Sequence, residues 1–184
     1  MEKRITGSTG LLGLIGSPVS HSGSPAMYNY SFRELGLDYA YLAFDVPIEE
    51  VKHAIQAIKT FHMRGCNVTM PCKTEVVQYM DELSPAAEII GAVNTIVNED
   101  GKLVGHITDG TGFVDNLKDH GTQVKGKKIT IAGGGGAATA VQVQCALDGA
   151  GAISIFNRKD AFWGRTLETA DKIKAACPAC EVAV

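Results

Sequence analysis

Apolar residues in the first hundred positions come in short blocks separated by turn-forming residues. Leu11-Leu-Gly-Leu-Ile15 is a continuous apolar run that stops at Gly16-Ser-Pro18, and it predicts a buried strand. The polar segment Val19–Pro25 follows; Pro25 suits the first turn of a helix running to about Leu35, with Ser24 as N-cap. Tyr39–Val46 alternates as a second strand. Pro47 opens a helix that puts Val51, Ile55 and Ile58 on one face and ends near Phe61. Gly65–Thr69 predicts a third strand, broken by Pro71. Lys73–Met80 and Ser84–Ile90 predict helices, the second capped by Ser84 ahead of Pro85. Ala92–Val97 and Lys102–Ile107 flank the turn signal Asn98-Glu-Asp-Gly101 and predict a hairpin.

From Gly110 a helical pattern runs to about His120, and Lys125-Gly-Lys-Lys128 leads into a strand, Ile129–Ala132. A glycine loop, a helix (about Ala137–Leu147) and a strand, Ala152–Asn157, come next. A helix at about Thr166–Ala176 and a strand beginning at Glu181 complete the pattern. Strand–helix alternation in both halves predicts an α/β protein with mainly parallel sheets. The break falls near residues 106–112 or at the lysine-rich turn around Lys125, which gives domains of 1–108 and 109–184.

Composition narrows the class. The chain has 184 residues, 45% of them hydrophobic, with 17 Lys+Arg against 20 Asp+Glu and a net charge of −3. That mixture excludes disorder, and no apolar run approaches the ~18–20 residues of a membrane span. Without a basic block there is no electrostatic footing for nucleic acid. Five cysteines, an odd number, argue against a secreted disulfide framework and for the reducing cytoplasm. Lys3 and Arg4 precede an apolar stretch too short and glycine-broken for a signal-peptide core. Cys177-Pro-Ala-Cys180 has the spacing of half a zinc site or a redox pair, but no second pair completes four ligands. It reads as structural, and no metal is expected.

Gly133-Gly-Gly135-Gly-Ala-Ala138 fits G-x-G-x-x-A between a strand and a helix. Gly133 suits the tight turn, Gly135 a close approach of backbone to a pyrophosphate, and Ala138 close packing of helix on strand. Gly134, Gly136 and Ala137 complete a loop whose N–H groups and helix dipole favour phosphate. Asn157-Arg-Lys-Asp160 stands 24 residues after Gly133, where an adenosine ribose would lie. Arg158 could face a 2′-phosphate and Asp160 a free 2′-hydroxyl, so the pattern leaves NAD and NADP both open.

Three polar clusters precede that loop, each where a strand pattern gives way: Ser22-Gly-Ser24, Asn67–Lys73 with Thr69, and Asn94-Thr95 with Thr108-Asp109. At strand ends of an α/β domain such residues converge on a crevice. Two serine hydroxyls at a helix N-terminus can seat a carboxylate. A Lys and an Asp together, Lys73 and Asp109, can exchange a proton with an alcohol.

Gly16–Pro25 with Asn29, Gly65–Lys73, Gly91-Ala-Val-Asn-Thr95, Thr108-Asp-Gly110 and the Gly133–Ala138 loop occur in that order. In this the chain resembles the shikimate dehydrogenase family, and in particular its quinate/shikimate dehydrogenase branch. The resemblance implies a two-domain enzyme that interconverts 3-dehydroshikimate and shikimate, or 3-dehydroquinate and quinate, in aromatic amino acid biosynthesis. By motif, Ser22 and Ser24 would bind the carboxylate, and Asn67, Thr69, Asn94 and Asp109 the ring hydroxyls. Lys73 and Asp109 would be the catalytic pair, Lys73 also touching substrate.

Two departures from the family pattern stand out. Ile107-Thr-Asp-Gly110 replaces the family's Asn-Thr-Asp-Gly, which reshapes the pocket beside Asp109. Asn157-Arg-Lys-Asp160 replaces its Asn-Arg-Thr run and a further Arg, which implies NAD or dual use, with NAD slightly favoured. A doubly wound domain needs two βαβαβ halves and the chain supplies about one. It is therefore expected to be cut short by roughly ninety residues, at ~30 per βαβ unit. The cut would leave the adenine side of the cofactor site present and turnover poor or absent, an inactive truncated product being one alternative. A non-catalytic sensor of a nucleotide or shikimate-like acid is the alternative class. Substrate preference and the existence of a homodimer stay open.

Overall fold

The computed structural model describes residues 5–161 and 163–184, so Lys3 and Arg4 lie outside the described residues. The chain divides into two compact units. One runs up to Ser84 and includes Ala92–His106; the other joins Pro85–Gly91 to Ile107–Val184.

The first unit holds β1 (Gly10–Gly16), α1 (Ser24–Glu34), β2 (Tyr39–Asp45), α2 (Val51–Thr60), β3 (Gly65–Val68) and β4 (Glu82–Leu83). After α3 (Pro85–Ile90), which belongs to the second unit, come β5 (Thr95–Glu99) and β6 (Lys102–His106). They form a six-stranded sheet in the order β2-β1-β3-β5-β6-β4. β1 runs parallel to β2 and β3, and β5 runs antiparallel to β3 and β6. Parallel pairing explains the unbroken apolar run of β1, since such strands are covered on both faces. The hairpin forms as expected, its two-residue turn at Asp100 and Gly101 taking φ of 53° and 99°. α2 buries Val51, Ile55 and Ile58, the predicted stripe. Under α1, Leu14, Val19, Phe32 and Tyr41 make a core cluster, each aliphatic or Phe side chain contributing about 1.5–3 kcal/mol by burial.

Three local expectations change. Ser24 is not the N-cap of α1: the helix starts at Ser24, Gly23 occupies the cap, and Ser22 Oγ accepts the Ser24 N–H at 3.2 Å. The Gly23 carbonyl accepts the first helical bond, from Met27 N–H at 3.1 Å, so the helix begins one residue before the start that Ser24 was expected to cap. Lys73–Met80 forms a 3₁₀ turn over Glu75–Tyr79 rather than an α-helix. Its ends are tied, Val93 N–H donating to the Lys73 carbonyl and Asp81 N–H to Leu103, which leaves room for a short turn only. β4, parallel to β6, is two residues long and too short to show a period.

The second unit adds α4 (Asp109–Asp119), β7 (Lys128–Ala132), α5 (Gly136–Leu147), β8 (Ala152–Phe156), α6 (Trp163–Ala176) and β9 (Glu181–Ala183). β7, β8 and β9 form an all-parallel sheet in that order. Strand–helix–strand alternation thus produces half of a doubly wound pattern, with Val143, Ile153, Ile155 and Ile173 buried in its core. α3 packs against α5 and α6, so a linear boundary at 108/109 misplaces this helix. α4 crosses α5 closely because residue 110 is glycine: a β-carbon there would stand 2.3 Å from the Ala140 carbonyl oxygen. Among the described residues no helix is long and apolar enough to cross a membrane. Cys177 is half-buried beyond α6 and Cys180 is buried; both thiols are free.

Candidate functional site

In the first unit, strand direction gathers the polar clusters. β1 and β3 are parallel, so Gly16 and Val68 leave the sheet at the same edge. β5 runs the other way, opposing Asn67 to Thr95, and β6 returns to place His106 beside Thr95. The ladder continues past the strand ends: Val68 N–H donates to Asn94 at 2.8 Å, and Thr69 N–H to Ile15 at 2.9 Å. Ser17 N–H donates to Met70 at 3.0 Å, and Asn94 N–H to His106 at 2.9 Å. Asn67, Thr69 and Asn94 therefore stand side by side at one end of the sheet. Ser22 precedes and Ser24 begins α1, which follows β1 from that end.

Ser22, Ser24, Asn67, Thr69, Lys73 and Asn94 are all half-buried, the exposure expected of a cleft lining. Lys73 follows the fully buried Cys72, whose thiol donates to the Val46 carbonyl at 3.3 Å. Burial, then the nearby Glu49 and Glu75, pushes the Cys72 thiol upward. Asn67 accepts the Tyr41 hydroxyl at 2.8 Å and donates to Thr95 Oγ1 at 3.1 Å. Cys66 packs beneath, its thiol pushed up to about 12 by burial. Sequence reasoning places Thr95 in a polar cluster but does not find Tyr41; no motif marks a strand tyrosine as part of a site. Asn29, part of the α1 motif, holds β2 instead: it donates to the Tyr41 carbonyl at 2.8 Å and accepts its N–H at 2.9 Å.

In the second unit, Asp109 is the exposed first residue of α4, with Thr108 in the cap position. Lys73 and Asp109 thus belong to different units.

The glycine loop closes a cavity of about 690 Å³ lined by Gly133–Gly136, Phe156, Asn157, Arg158, Asp160 and Arg165. Gly133 has φ +125° and donates its N–H to Phe156 at 2.7 Å, so it makes the predicted tight turn. Ala138 would lie 3.6 Å from a β-carbon at Gly133, the close helix–loop approach its small side chain allows. Gly135 and Gly136 face open space, as a ligand approaching the backbone requires. Gly134 is instead hemmed in by side chains, and a β-carbon there would meet Thr166 Oγ1 at 2.2 Å and Asn157 Nδ2 at 2.7 Å. Asn157 is held by Thr166 at 2.8 Å, so its amide braces the loop.

α5 has no side-chain cap, and its first N–H groups, among them those of Ala137 and Ala138, point out of its N-terminus. An uncapped helix start, open glycines and two arginines fit the pyrophosphate and ribose of a dinucleotide. Arg158 is 91% exposed and lies 3.6 Å from Asp160, an ion pair worth under ~1 kcal/mol that a ligand phosphate can displace. Arg165 escapes the sequence motifs, yet it carries a signal: a cation in the first turn of α6 opposes the helix dipole. Gln142 escapes them as well. Fully buried on α5, it donates to the Gly133 carbonyl at 2.9 Å, and its Oε1 has no partner among the described residues. Neither Ala137 nor Ala138 lines the cavity.

Residues 14–96 match the shikimate dehydrogenase substrate binding domain family. The chain is 55% identical over 175 residues to the shikimate dehydrogenase (NADP(+)) of Listeria monocytogenes serotype 4b, covering 95% of this chain and 60% of that protein. It is 53% identical, with a TM-score of 0.94, to a crystal structure of shikimate 5-dehydrogenase from Listeria monocytogenes in complex with shikimate and NAD. That match covers 99% of this chain and 63% of the other. A shikimate dehydrogenase structure in complex with NADP+ superposes with a TM-score of 0.86 at 40% identity, covering 100% of this chain and 64% of that one. The chain thus spans about 60% of the length of the curated relatives it matches.

Proposed function

We propose that this chain, whose residues 14–96 are a shikimate dehydrogenase substrate-binding domain, works in an NAD(P)-dependent dehydrogenase that interconverts 3-dehydroshikimate and shikimate. The observation that carries the reading is the convergence of Asn67, Thr69 and Asn94 at one end of the six-stranded sheet that also launches α1. Residues 1–108 form the substrate domain, with α3 grouped with the second unit, and residues 109–184 belong to the dinucleotide domain.

In this reading Ser22 and Ser24 hold the substrate carboxylate. Asn67, Thr69, Asn94 and Asp109 hold ring hydroxyls. A nicotinamide dinucleotide held by the glycine loop would supply the hydride. Lys73 delivers the proton to the carbonyl oxygen, and Asp109 is the second member of the catalytic pair. In the reverse direction Lys73 takes the alcohol proton as hydride leaves. Hydride plus proton balances the two-electron reduction, so no metal is needed.

The glycine loop and α5 hold the pyrophosphate, and Asn157, Arg158 and Asp160 surround the ribose, with Arg165 beside them. The curated relatives are named for NADP(+), and the structures contain NAD or NADP, so the slight preference for NAD expected from Asp160 has no support from them. Arg158 and Arg165 suit a 2′-phosphate and Asp160 a free hydroxyl, which is the chemistry of dual use. Quinate and 3-dehydroquinate, which keep the carboxylate and add a hydroxyl on the carbon that bears it, would enter the same cleft. Five free thiols, four of them buried, suit the reducing cytoplasm.

The reading is tested by following reduced dinucleotide as the protein containing this chain meets shikimate with NAD+ or NADP+. Turnover that falls by about 10²–10⁴-fold in Lys73→Ala is the expected result. Saturable binding of shikimate without hydride transfer to either dinucleotide would make the protein a binding module instead.

A further inference from the structure

Tyr41, on β2, starts a row of hydrogen bonds that runs through the strand ends of the first unit. Its hydroxyl donates to Asn67 Oδ1 at 2.8 Å. Asn67 Nδ2 donates to Thr95 Oγ1 at 3.1 Å and to the Asn94 carbonyl at 3.4 Å. Thr95 Oγ1 donates to Asn94 Oδ1 at 3.0 Å.

The direction of this row is dictated by its members. A carbonyl can only accept, so the Asn94 carbonyl demands the Nδ2 side of the Asn67 amide. Asn67 Oδ1 must then face Tyr41, and Tyr41 must donate. Thr95, having accepted from Asn67, spends its own proton on Asn94 Oδ1. Asn67 is left with one lone pair on Oδ1 for a ligand, and Asn94 with its Nδ2 side turned away from Thr95.

Tyr41 is held on every side. Its ring stacks on Tyr28, centroids 4.4 Å apart and planes 13° from parallel, and only 2% of the residue is exposed. Asn29 bonds both its backbone groups, and the Ser24 side chain meets its hydroxyl. Burial, then the neighbouring Cys66 and Tyr28, pushes the phenol above its ordinary range, so it remains a donor at neutral pH.

We propose that Tyr41 is a positioning residue: through Asn67 and Thr95 it sets which way the Asn67 and Asn94 carboxamides face, and hence which groups of a ring they recognise. The proposal rests on the reading that Asn67 and Asn94 hold ring hydroxyls. It deepens that reading with a specificity. Asn67 presents an acceptor, so the ring carbon above it must carry a hydroxyl, which can donate, and not a keto group, which cannot.

Tyr41→Phe keeps the stacked ring and removes only the donor. Shikimate and cyclohexene carboxylate, which has the same ring and carboxylate without hydroxyls, are titrated onto the protein by NMR. The expected result is a shikimate affinity that falls about ten-fold further than that of the hydroxyl-free acid in Tyr41→Phe, because loss of the contact with Ser24 touches the carboxylate seat that both ligands share. Thr95→Val, which breaks the row one residue on, gives the same selective loss, and Thr95→Ser restores it. Equal weakening of both ligands assigns Tyr41 a merely structural role and overturns the proposal, as does unchanged shikimate affinity in Tyr41→Phe. A wild-type protein that binds neither acid removes the functional reading, and the proposal with it.

Discussion

Gly16 leaves β1 directly against Thr69: a β-carbon at Gly16 would stand 2.4 Å from Thr69 Cγ2 and 2.8 Å from the Met70 carbonyl oxygen. Its φ of +153° adds a backbone conformation that other residues rarely adopt. The glycine therefore lets the exits of β1 and β3 touch, which keeps Thr69 at the proposed cleft. Gly16→Ala is expected to lose about 1–3 kcal/mol in urea unfolding. Shikimate affinity should fall with it, because Thr69 is displaced first.

Gly134 plays the corresponding part in the second unit, under Asn157 and Thr166. Gly134→Ala should weaken NAD+ and NADP+ binding together, by roughly ten-fold or more, while shikimate affinity stays as in the wild type. Titrating all three ligands onto the variant checks this. Parallel loss of shikimate binding would mean general unfolding rather than a damaged loop.

Asp160 draws Arg158 toward itself, at 3.6 Å. Asp160→Ala removes the acceptor for a ribose hydroxyl and frees a cation for a 2′-phosphate. The ratio of NADP+ to NAD+ affinity should rise, and calorimetric titration with each dinucleotide measures it. An unchanged ratio would take Asp160 out of cofactor choice.

Asp81 accepts the Leu103 N–H at 2.7 Å and pairs with Lys59 at 3.0 Å, and these two bonds hold its carboxyl below the usual Asp range. A folded-state value below the unfolded one, ~3.9, stabilises the fold above that pH. The stabilisation is lost as pH falls through the folded value. Asp81→Asn should therefore be less stable than the wild type at about pH 7, with the gap closing toward about pH 3. Urea unfolding at both values reads it.

Periodicity exposed most of the fold. The Val51, Ile55 and Ile58 stripe, the hairpin turn at Asp100 and Gly101, and the glycine-loop βαβ unit all follow from local rules that their residues obey. Where those rules failed, tertiary ties had won. Gly23 took the cap position assigned to Ser24, whose N–H donates to Ser22 Oγ instead, and the backbone anchors at Lys73 and Asp81 held Glu75–Tyr79 to a 3₁₀ turn. Candidate ligands were legible because serine, asparagine and lysine at strand ends are chemically conspicuous. Tyr41 was not, since a tyrosine at an alternating strand position looks like packing until its hydroxyl is seen on Asn67. Gln142 hid among apolar neighbours on α5 for the same reason.

The central claim is that the strand-end cluster of the first unit holds shikimate, and calorimetric titration of shikimate tests it most directly. Wild-type protein should bind one equivalent. Ser24→Ala and Asn67→Ala should each weaken it by about ten-fold, the cost of a lost hydrogen bond to a charged or buried group. Absence of binding, or binding indifferent to both substitutions, would contradict the account.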